Sequence, residues 1–581
     1  MPSILFSTSC YIAGKLCYLR IYIDNDSNDL SLSTIDDLLS ILDTCESILN
    51  ATNILSSIRF HFELLIDKNK NSIHSNDNTI PETIFLNKLL NIKQTVKLSN
   101  TSNSSSKAQH FEQFSSQQIS ENYGMIPLES TQVDLSYINI SKSFIWTVQR
   151  IQIEMSSIDA YQLHLVVTRY LSKLKHRPRH LLVFINPQCG KGKGRSVYEK
   201  KVLPLFEEAN ISVDTIYTER ANHARDYINE HMSLDNYDGL ICVGGDGIFS
   251  ELCHSLLLKT ARQAGLNMDD SKIDIKRPEL RIGIIPAGST DAVTFGTTGH
   301  NDPITSTLQI ITGESLLIDI VTVHSERGFV CFMATMLAYG FFGNIIRQSD
   351  NWRLFGPLRY NLAGFFQFLR NTSYHTELII TEPLEKYDSK ALINNLNRHL
   401  FGNTMKWQET IGEKSDSEES SVPLVIKREG QYRTINCLNM PCRCEKSKYG
   451  MSPSVHLGDG SFDIILVKRS WRMGLFRFLR HVANDARTIE ELSNVERYRA
   501  TEVIIRPVIT QQKEIGNWAC DGEVITANEV RIRAHHRALN LFASDPWQSN
   551  HSTINTATVS KNPITTNQIL TQSQIKQKLF A

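Results

Sequence analysis

Three observations predict the fold class: an α/β domain with a doubly wound parallel sheet, then a β-rich domain. From His180 onward, short apolar runs alternate with helix-length segments. After Leu316 the apolar runs are nearly all strand-like. Three of the earlier runs end in glycine-bearing turns. Strands alternating with helices mean βαβ units and a parallel sheet, whereas strands following strands mean antiparallel pairing.

Taken in order, residues 1–175 read as a small β-rich domain. YLRIYI, TIDDLLSILDTCESIL and IRFHFELLI precede a Ser/Asn/Gln-rich stretch at 97–120, which reads as a disordered insertion. SFIWTVQRIQIEM follows, then DAYQLHLVVTRYLSKLK. The latter is an amphipathic helix whose Tyr161, Leu165, Thr168, Leu171 and Leu174 fall near helical spacing. In 177–315, HLLVFI, VDTIYT, GLICV and RIGII read as strands, with helices at 195–209, 221–231 and 248–260. In 316–543 the strands are LLIDIVTV, HTELIIT, FDIILVK, TEVIIRPV and EVRIRAHH, with a helix at 471–487. An acidic, serine-rich loop occupies 413–421, and 544–581 reads as a Thr/Asn/Gln-rich tail.

Composition narrows the function. Lys plus Arg and Asp plus Glu are each 61, a formal net charge of zero, which gives no chain-wide electrostatic grip on nucleic acid. The 11 cysteines are odd in number and scattered through a long chain, so they read as intracellular thiols rather than a disulfide framework. The first residues lack the basic start of a signal peptide. The uncharged run 329–346 (FVCFMATMLAYGFFGNII) carries two Gly and an Asn, and reads as a buried strand followed by a glycine-rich bend rather than a spanning helix.

The glycine-rich turns carry the chemistry. Ligands of parallel α/β sheets bind at the carboxyl ends of strands. Asn186-Pro187-Gln188-Cys189-Gly190-Lys191-Gly192-Lys193-Gly194 follows the first strand. Its glycines let backbone N–H groups approach phosphate, and the helix start behind it favours anions. The spacing is neither a Walker P-loop nor a dinucleotide fingerprint. Gly244-Gly245-Asp246-Gly247 ends the third strand; a structural turn with Asp as helix cap competes here with a carboxylate at a phosphoryl-transfer centre. Ile285-Pro286-Ala287-Gly288-Ser289-Thr290-Asp291 ends the fourth. Two further acidic turns, His456-Leu457-Gly458-Asp459-Gly460 and Cys520-Asp521-Gly522-Glu523, lie in the β-rich half, where each alone reads as a hairpin turn.

In combination and in this order, NPQCGKGKG, VGGDGIFSE, IPAGSTD, HLGDGSFD and CDGE resemble the diacylglycerol kinase catalytic-domain superfamily, and within it the ceramide kinases most closely. The resemblance runs from Arg177 to about Phe542. It implies transfer of the ATP γ-phosphate to the primary hydroxyl of ceramide, with Mg²⁺ on the phosphates. Sphingosine or diacylglycerol kinase activity and a catalytically silent lipid-binding scaffold stand as alternatives. Asp246 matches the proton acceptor, and Gly244, Gly245, Asp246 and Gly247 match the segment lining the substrate hydroxyl. Glu523 matches the base of bacterial relatives and rivals Asp246. Matching nucleotide contacts are Asn186, Pro187, Gln188, Gly190, Gly192, then Thr218, Glu219, Arg220, Ala221, Asn222, Glu251, Gly288, Ser289, Thr290, Arg353, Arg359, Asp521, Gly522 and Glu523. Asp459 matches a metal-proximal position. Cys437, Cys442 and Cys444 lack a fourth zinc ligand and read as free thiols. The resemblance also implies a pleckstrin-homology-like domain in 1–175, an antiparallel β-sandwich in 316–543, and a cytoplasmic enzyme held peripherally on Golgi or plasma membrane, where it meets ceramide. The apolar Phe341-Phe342 region is a second candidate for membrane contact. No protein partner is inferable.

Overall fold

The computed structural model describes residues 130–544, except 191, 231–233, 289, 353–355, 357, 384–423, 446 and 509–514, together with the backbone of five strands between residues 3 and 96. The insertion at 97–120, the loop at 413–421, the tail beyond Ser544, and the candidates Ser289 and Arg353 lie outside the described residues.

The N-terminal unit is an antiparallel sheet in the order β4-β3-β2-β1-β7-β6-β5. Its strands are β1 (Ser3–Ile12), β2 (Lys15–Ile23), β3 (Ile58–Leu64), β4 (Thr83–Phe85), β5 (Leu89–Val96), β6 (Ser130–Ile140) and β7 (Trp146–Ser156). Helix α1 (Ser157–Lys173) follows, capped by Ser156, whose hydroxyl accepts from the Asp159 N–H at 3.2 Å. The buried row on α1 is Ala160, Leu163, Val166, Val167 and Tyr170, with Tyr161 and Thr168 exposed. The helix is where the sequence places it, but the expected face is wrong. Two adjacent apolar rows run along this helix, and periodicity alone does not choose between them.

The α/β unit comprises β8 (His180–Ile185), α2 (Gly194–Val197) and α3 (Leu203–Glu208) joined by a π-helical turn, β9 (Ser212–Tyr217), α4 (His223–Glu230), β10 (Gly239–Gly244), α5 (Asp246–Gln263), β11 (Arg281–Pro286), α6 (Ala292–Thr298) and α7 (Pro303–Thr312). β8 lies between β9 and β10, and β11 flanks β10; all four are parallel. The chain winds outward from β8 to β9, then crosses to β10 and on to β11. The direction of winding therefore reverses at β8 and β10, the position where such sheets bind ligands.

The later strands are β12 (Leu316–Ser325), β13 (Gly328–Met333), β14 (Met336–Gly340), β15 (Tyr374–Thr381), β16 (Val425–Leu438), β17 (Phe462–Lys468), β18 (Val495–Ala500), β19 (Glu502–Pro507), β20 (Trp518–Cys520), β21 (Glu523–Ile525) and β22 (Val530–Leu541). Three helices accompany them: α8 (Phe341–Asp350), α9 (Leu358–Arg370) and α10 (Arg472–Asn484). These strands do not make a sheet of their own. β22 pairs antiparallel with β12 and β19, and its end pairs with β11 through Leu541 and Ile282, so one sheet of mixed direction runs through both halves. The Phe542 N–H donates to the Ile282 carbonyl at 2.9 Å, covering an edge that β11 would otherwise expose. The run 329–346 becomes β13, β14 and the first turns of α8 rather than a strand and a bend. Phe341 is buried and Phe342 packs beside it, so this pair is core and not the apolar surface expected. Among the described residues no helix is long and apolar enough to cross a membrane.

Candidate active site

The three glycine-rich turns converge at the carboxyl ends of β8, β10 and β11. The Asn186 N–H donates to the Val243 carbonyl at 3.1 Å, and the Ala287 N–H to the Gly244 carbonyl at 2.9 Å, so each turn is tied to the next. The contact is too close for side chains. A Cβ on Gly190, which has φ +58°, would stand 2.6 Å from the Ala287 carbonyl oxygen, and one on Gly288 would stand 2.6 Å from the Gly245 Cα.

Asp246 begins α5 directly after this contact. Its Oδ2 accepts from the Ala292 N–H at 3.0 Å and its Oδ1 from the Val293 N–H at 2.9 Å, both donors belonging to the first turn of α6. One carboxylate thus joins the start of α5 to the start of α6. Burial raises its pKa, the two N–H donors pull it back, and the charge of Asp521 raises it further. Each oxygen accepts one of these bonds and keeps accepting capacity, so the group can take a proton.

Asp291, which the sequence reading did not single out, is a second buried acid at this junction. It is 1% exposed, sits at φ +50°, and accepts from the Gly288 N–H at 3.0 Å. Burial and then the charge of Asp246 push its pKa up to about 6. The signal available in the sequence was a second acid five residues beyond Pro286, in a turn that must close tightly against another glycine turn.

The nucleotide candidates fall around the same edge. Asn186 Oδ1 accepts from the Gln188 N–H at 3.0 Å, shaping the turn through Pro187. Thr218 donates from N–H and hydroxyl to the Ile185 carbonyl at 2.8 and 3.2 Å, so Thr218 to Asn222 hang from the end of β8. Within that segment Glu219 N–H donates to His223 Nδ1, Arg220 pairs with Asp226 at 2.6 Å, and Ala221 and Asn222 lead into α4, with Asn222 at φ +61°. Glu251 accepts from the Arg225 N–H at 3.0 Å and braces α5 against α4. Thr290 is exposed at the mouth of the third turn.

The β-rich half contributes differently. Asp521 accepts from the N–H groups of Ala334, Thr335 and Met336 at 2.7, 2.9 and 2.9 Å, and from the Thr335 hydroxyl at 2.5 Å. It organises the link from β13 to β14: Oδ1 is filled by three donors, and Oδ2 holds the Ala334 N–H alone. Gly522 and Glu523, which follow it, are exposed. Arg359 lies at the start of α9, its guanidinium over the Tyr360 ring and donating to the Tyr360 hydroxyl at 2.6 Å.

A metal site at Asp459 does not fit. Its carboxylate is paired with Arg499 and accepts from the Ser461 N–H and hydroxyl at 3.1 and 2.8 Å. Among the described residues no three His, Cys, Asp or Glu gather to hold a metal. Cys437, Cys442 and Cys444 are free thiols, and burial pushes those of Cys437 and Cys442 up.

Comparison with known proteins bears on this arrangement. Residues 180–323 match the diacylglycerol kinase catalytic domain, and residues 394–559 the ceramide kinase C-terminal domain. The chain is 36% identical to human ceramide kinase over 421 residues, 66% of this chain and 77% of that protein. Mouse ceramide kinase is 36% identical over 64% of this chain and 76% of its own. Ceramide kinase 1 of Caenorhabditis elegans is 28% identical over 66% of this chain and 69% of its own.

Proposed function

The chain belongs to the ceramide kinase family, and from that we propose that it transfers the γ-phosphate of ATP to the primary hydroxyl of ceramide. The observation that carries the reading is the junction of the three turns on Asp246, at the reversal point of a parallel sheet. Asp246 is the base. The substrate hydroxyl oxygen attacks the γ-phosphorus, the bond to the bridging oxygen of ADP breaks, and the hydroxyl proton passes to a free lone pair of the Asp246 carboxylate. The two N–H donors hold that carboxylate in place and keep it ionised, while burial brings its proton affinity closer to what a base needs. The turns from Asn186 to Gly194 and from Gly288 to Thr290, with the segment from Thr218 to Asn222, receive the nucleotide. ATP would carry its own Mg²⁺, which would neutralise charge on the phosphates; Asp459, paired with Arg499, is not offered to it.

The N-terminal unit fits a pleckstrin-homology-like domain: seven antiparallel strands and a closing helix. We place the enzyme in the cytoplasm, peripherally on Golgi or plasma membrane. Removing residues 1–150 would not test this cleanly, because Ile138 and Trp146 belong to the core beneath β8 and α7, and the Trp146 N–H donates to Thr305 Oγ1 at 3.1 Å. The direct test is phosphorylation with labelled ATP, comparing ceramide, sphingosine and diacylglycerol in detergent micelles. Ceramide 1-phosphate is the expected product; selective labelling of either other lipid would assign the substrate to it instead.

A further inference from the structure

Helix α9 is built inside out. Its polar Gln367 is buried, donating to Gln348 Oε1 at 2.7 Å and accepting from Asn344 Nδ2 at 3.3 Å, both on α8. Ala363 is the other buried residue. Those bonds fix the rotation of the helix, and they turn Leu358, Leu362, Phe365 and Leu369 to solvent, spaced as one stripe. Phe365 is 58% exposed, and Phe366 beside it 46%. A surface helix of a water-facing protein shows the opposite pattern.

The patch does not end with α9. The Arg472 Nη2 donates to the Leu369 carbonyl at 3.0 Å, joining the end of α9 to the start of α10. Immediately there Trp471 is 87% exposed, and Met473 and Phe476 stand out on α10. The charge on these helices has one sign. Arg359, Arg370, Arg472, Arg477 and Arg480 lie on them with no Asp or Glu, in a chain whose net charge is zero.

We propose that the outward faces of α9 and α10 form a docking surface for an anionic lipid bilayer, apolar side chains entering the headgroup region and arginines pairing with lipid phosphates. Apolar burial combined with a local excess of cations is what interfacial helices use, and neither suffices alone for firm binding. A Trp and long arginines at the border between water and hydrocarbon suit that position. The surface also connects to the candidate site through the fold. α9 packs on α8, α8 follows β14, and β14 begins at the link held by Asp521. The proposal rests on the reading of this chain as a lipid kinase only in naming what the bilayer supplies.

The test separates the two. The full chain is floated with phosphatidylcholine vesicles, with and without phosphatidylserine, in the absence of ATP and ceramide. Replacing the apolar anchors together (Phe365→Gln, Trp471→Gln and Phe476→Gln) is expected to weaken vesicle binding on the order of 10²-fold. Arg477→Gln with Arg480→Gln is expected to weaken binding about thirtyfold on phosphatidylserine vesicles and little on neutral ones. Both variants keep their activity on micellar ceramide. Vesicle binding that is unchanged in both variants overturns the proposal. So does loss of self-association in the first variant with vesicle binding intact, which would assign the face to a second copy of the chain. Failure of the micellar assay in the unaltered protein would strike the kinase reading and leave the vesicle result standing.

Discussion

Two acidic turns in this chain look alike in sequence and differ in structure. Gly-Gly-Asp-Gly at Asp246 and Cys-Asp-Gly-Glu at Asp521 each set a carboxylate against glycine, and both residues are half-buried and accept backbone N–H bonds. Asp246 takes two bonds, one per oxygen, from the start of a helix. Asp521 takes four, three of them on Oδ1. The first keeps accepting capacity on both oxygens; in the second Oδ1 is filled by three donors and only Oδ2, which holds the Ala334 N–H alone, keeps any. On the proposed mechanism, burial thus does opposite work in the two places, tuning the base in one and fixing a turn in the other. The number of donors already engaged distinguishes them.

The largest effect should come from Asp246. Asp246→Asn removes the proposed proton acceptor and is expected to lower turnover on the order of 10²-fold or more. It also turns an amide NH₂ toward one of the two N–H donors, so a modest fall in the denaturation midpoint should accompany it. Glu523→Gln, at an exposed position, should stay within a few-fold of wild type. Steady-state kinetics on micellar ceramide decide this. If the Asp246→Asn protein is active and the Glu523→Gln protein dead, the base is Glu523 and the comparison must be redrawn. The raised pKa of Asp246 gives a second readout. A base must be ionised to act, so on the proposed mechanism the acid limb of the pH profile should be shifted upward from that of an ordinary carboxylate, with activity falling as pH falls.

Asp521→Asn should show the reverse pattern. One of its four accepted bonds is lost and a donor is set against the Ala334 N–H, which costs about 2 kcal/mol of stability. Chemical denaturation should register that loss, while the folded fraction keeps turnover within several-fold. A folded Asp521→Asn protein without activity would show that this carboxylate takes part in chemistry after all.

What could be read from the chain follows the same division. The βαβ alternation and the glycine turns were legible because each is local: a strand, a turn and a helix start within some fifteen residues, as from HLLVFI to Gly194. The junction of Asp246 with Ala292 and Val293 was not, since it joins residues more than forty positions apart. Nor was the return of β22 to β11, which makes one sheet of what the sequence divides into two domains. The buried face of α1 was misread because two apolar rows compete on it. The apolar face of α9 escaped because pattern reading assigns such stripes to the core; here hydrogen bonds from Gln367 hold the stripe outward.

The smallest expected effect sharpens the comparison most, because it concerns the neighbour of the Asp246 turn. Asp291 is nearly inaccessible, and its pKa stands at about 6 because burial and the charge of Asp246 oppose its ionisation. A carboxyl whose folded pKa lies above its unfolded one weakens the fold when ionised. That penalty is full above about pH 6 and fades as pH falls toward the ordinary carboxylate value. Asp291→Asn removes the charge and can still accept the Gly288 N–H through its amide oxygen. The variant should therefore be more stable than wild type by about 1 kcal/mol at neutral pH, with the gain shrinking as pH falls below about 6. Asp246 keeps its two N–H donors and its Asp521 neighbour in this variant, so turnover should stay within a few-fold of wild type. Denaturation midpoints across that pH range, with kinetics beside them, measure both. A variant less stable than wild type at neutral pH would mean that the carboxylate of Asp291 has a counter-charge in the folded chain. The Asp246 turn would then rest on a paired acid, as Asp459 rests on Arg499, and not on two acids in mutual repulsion.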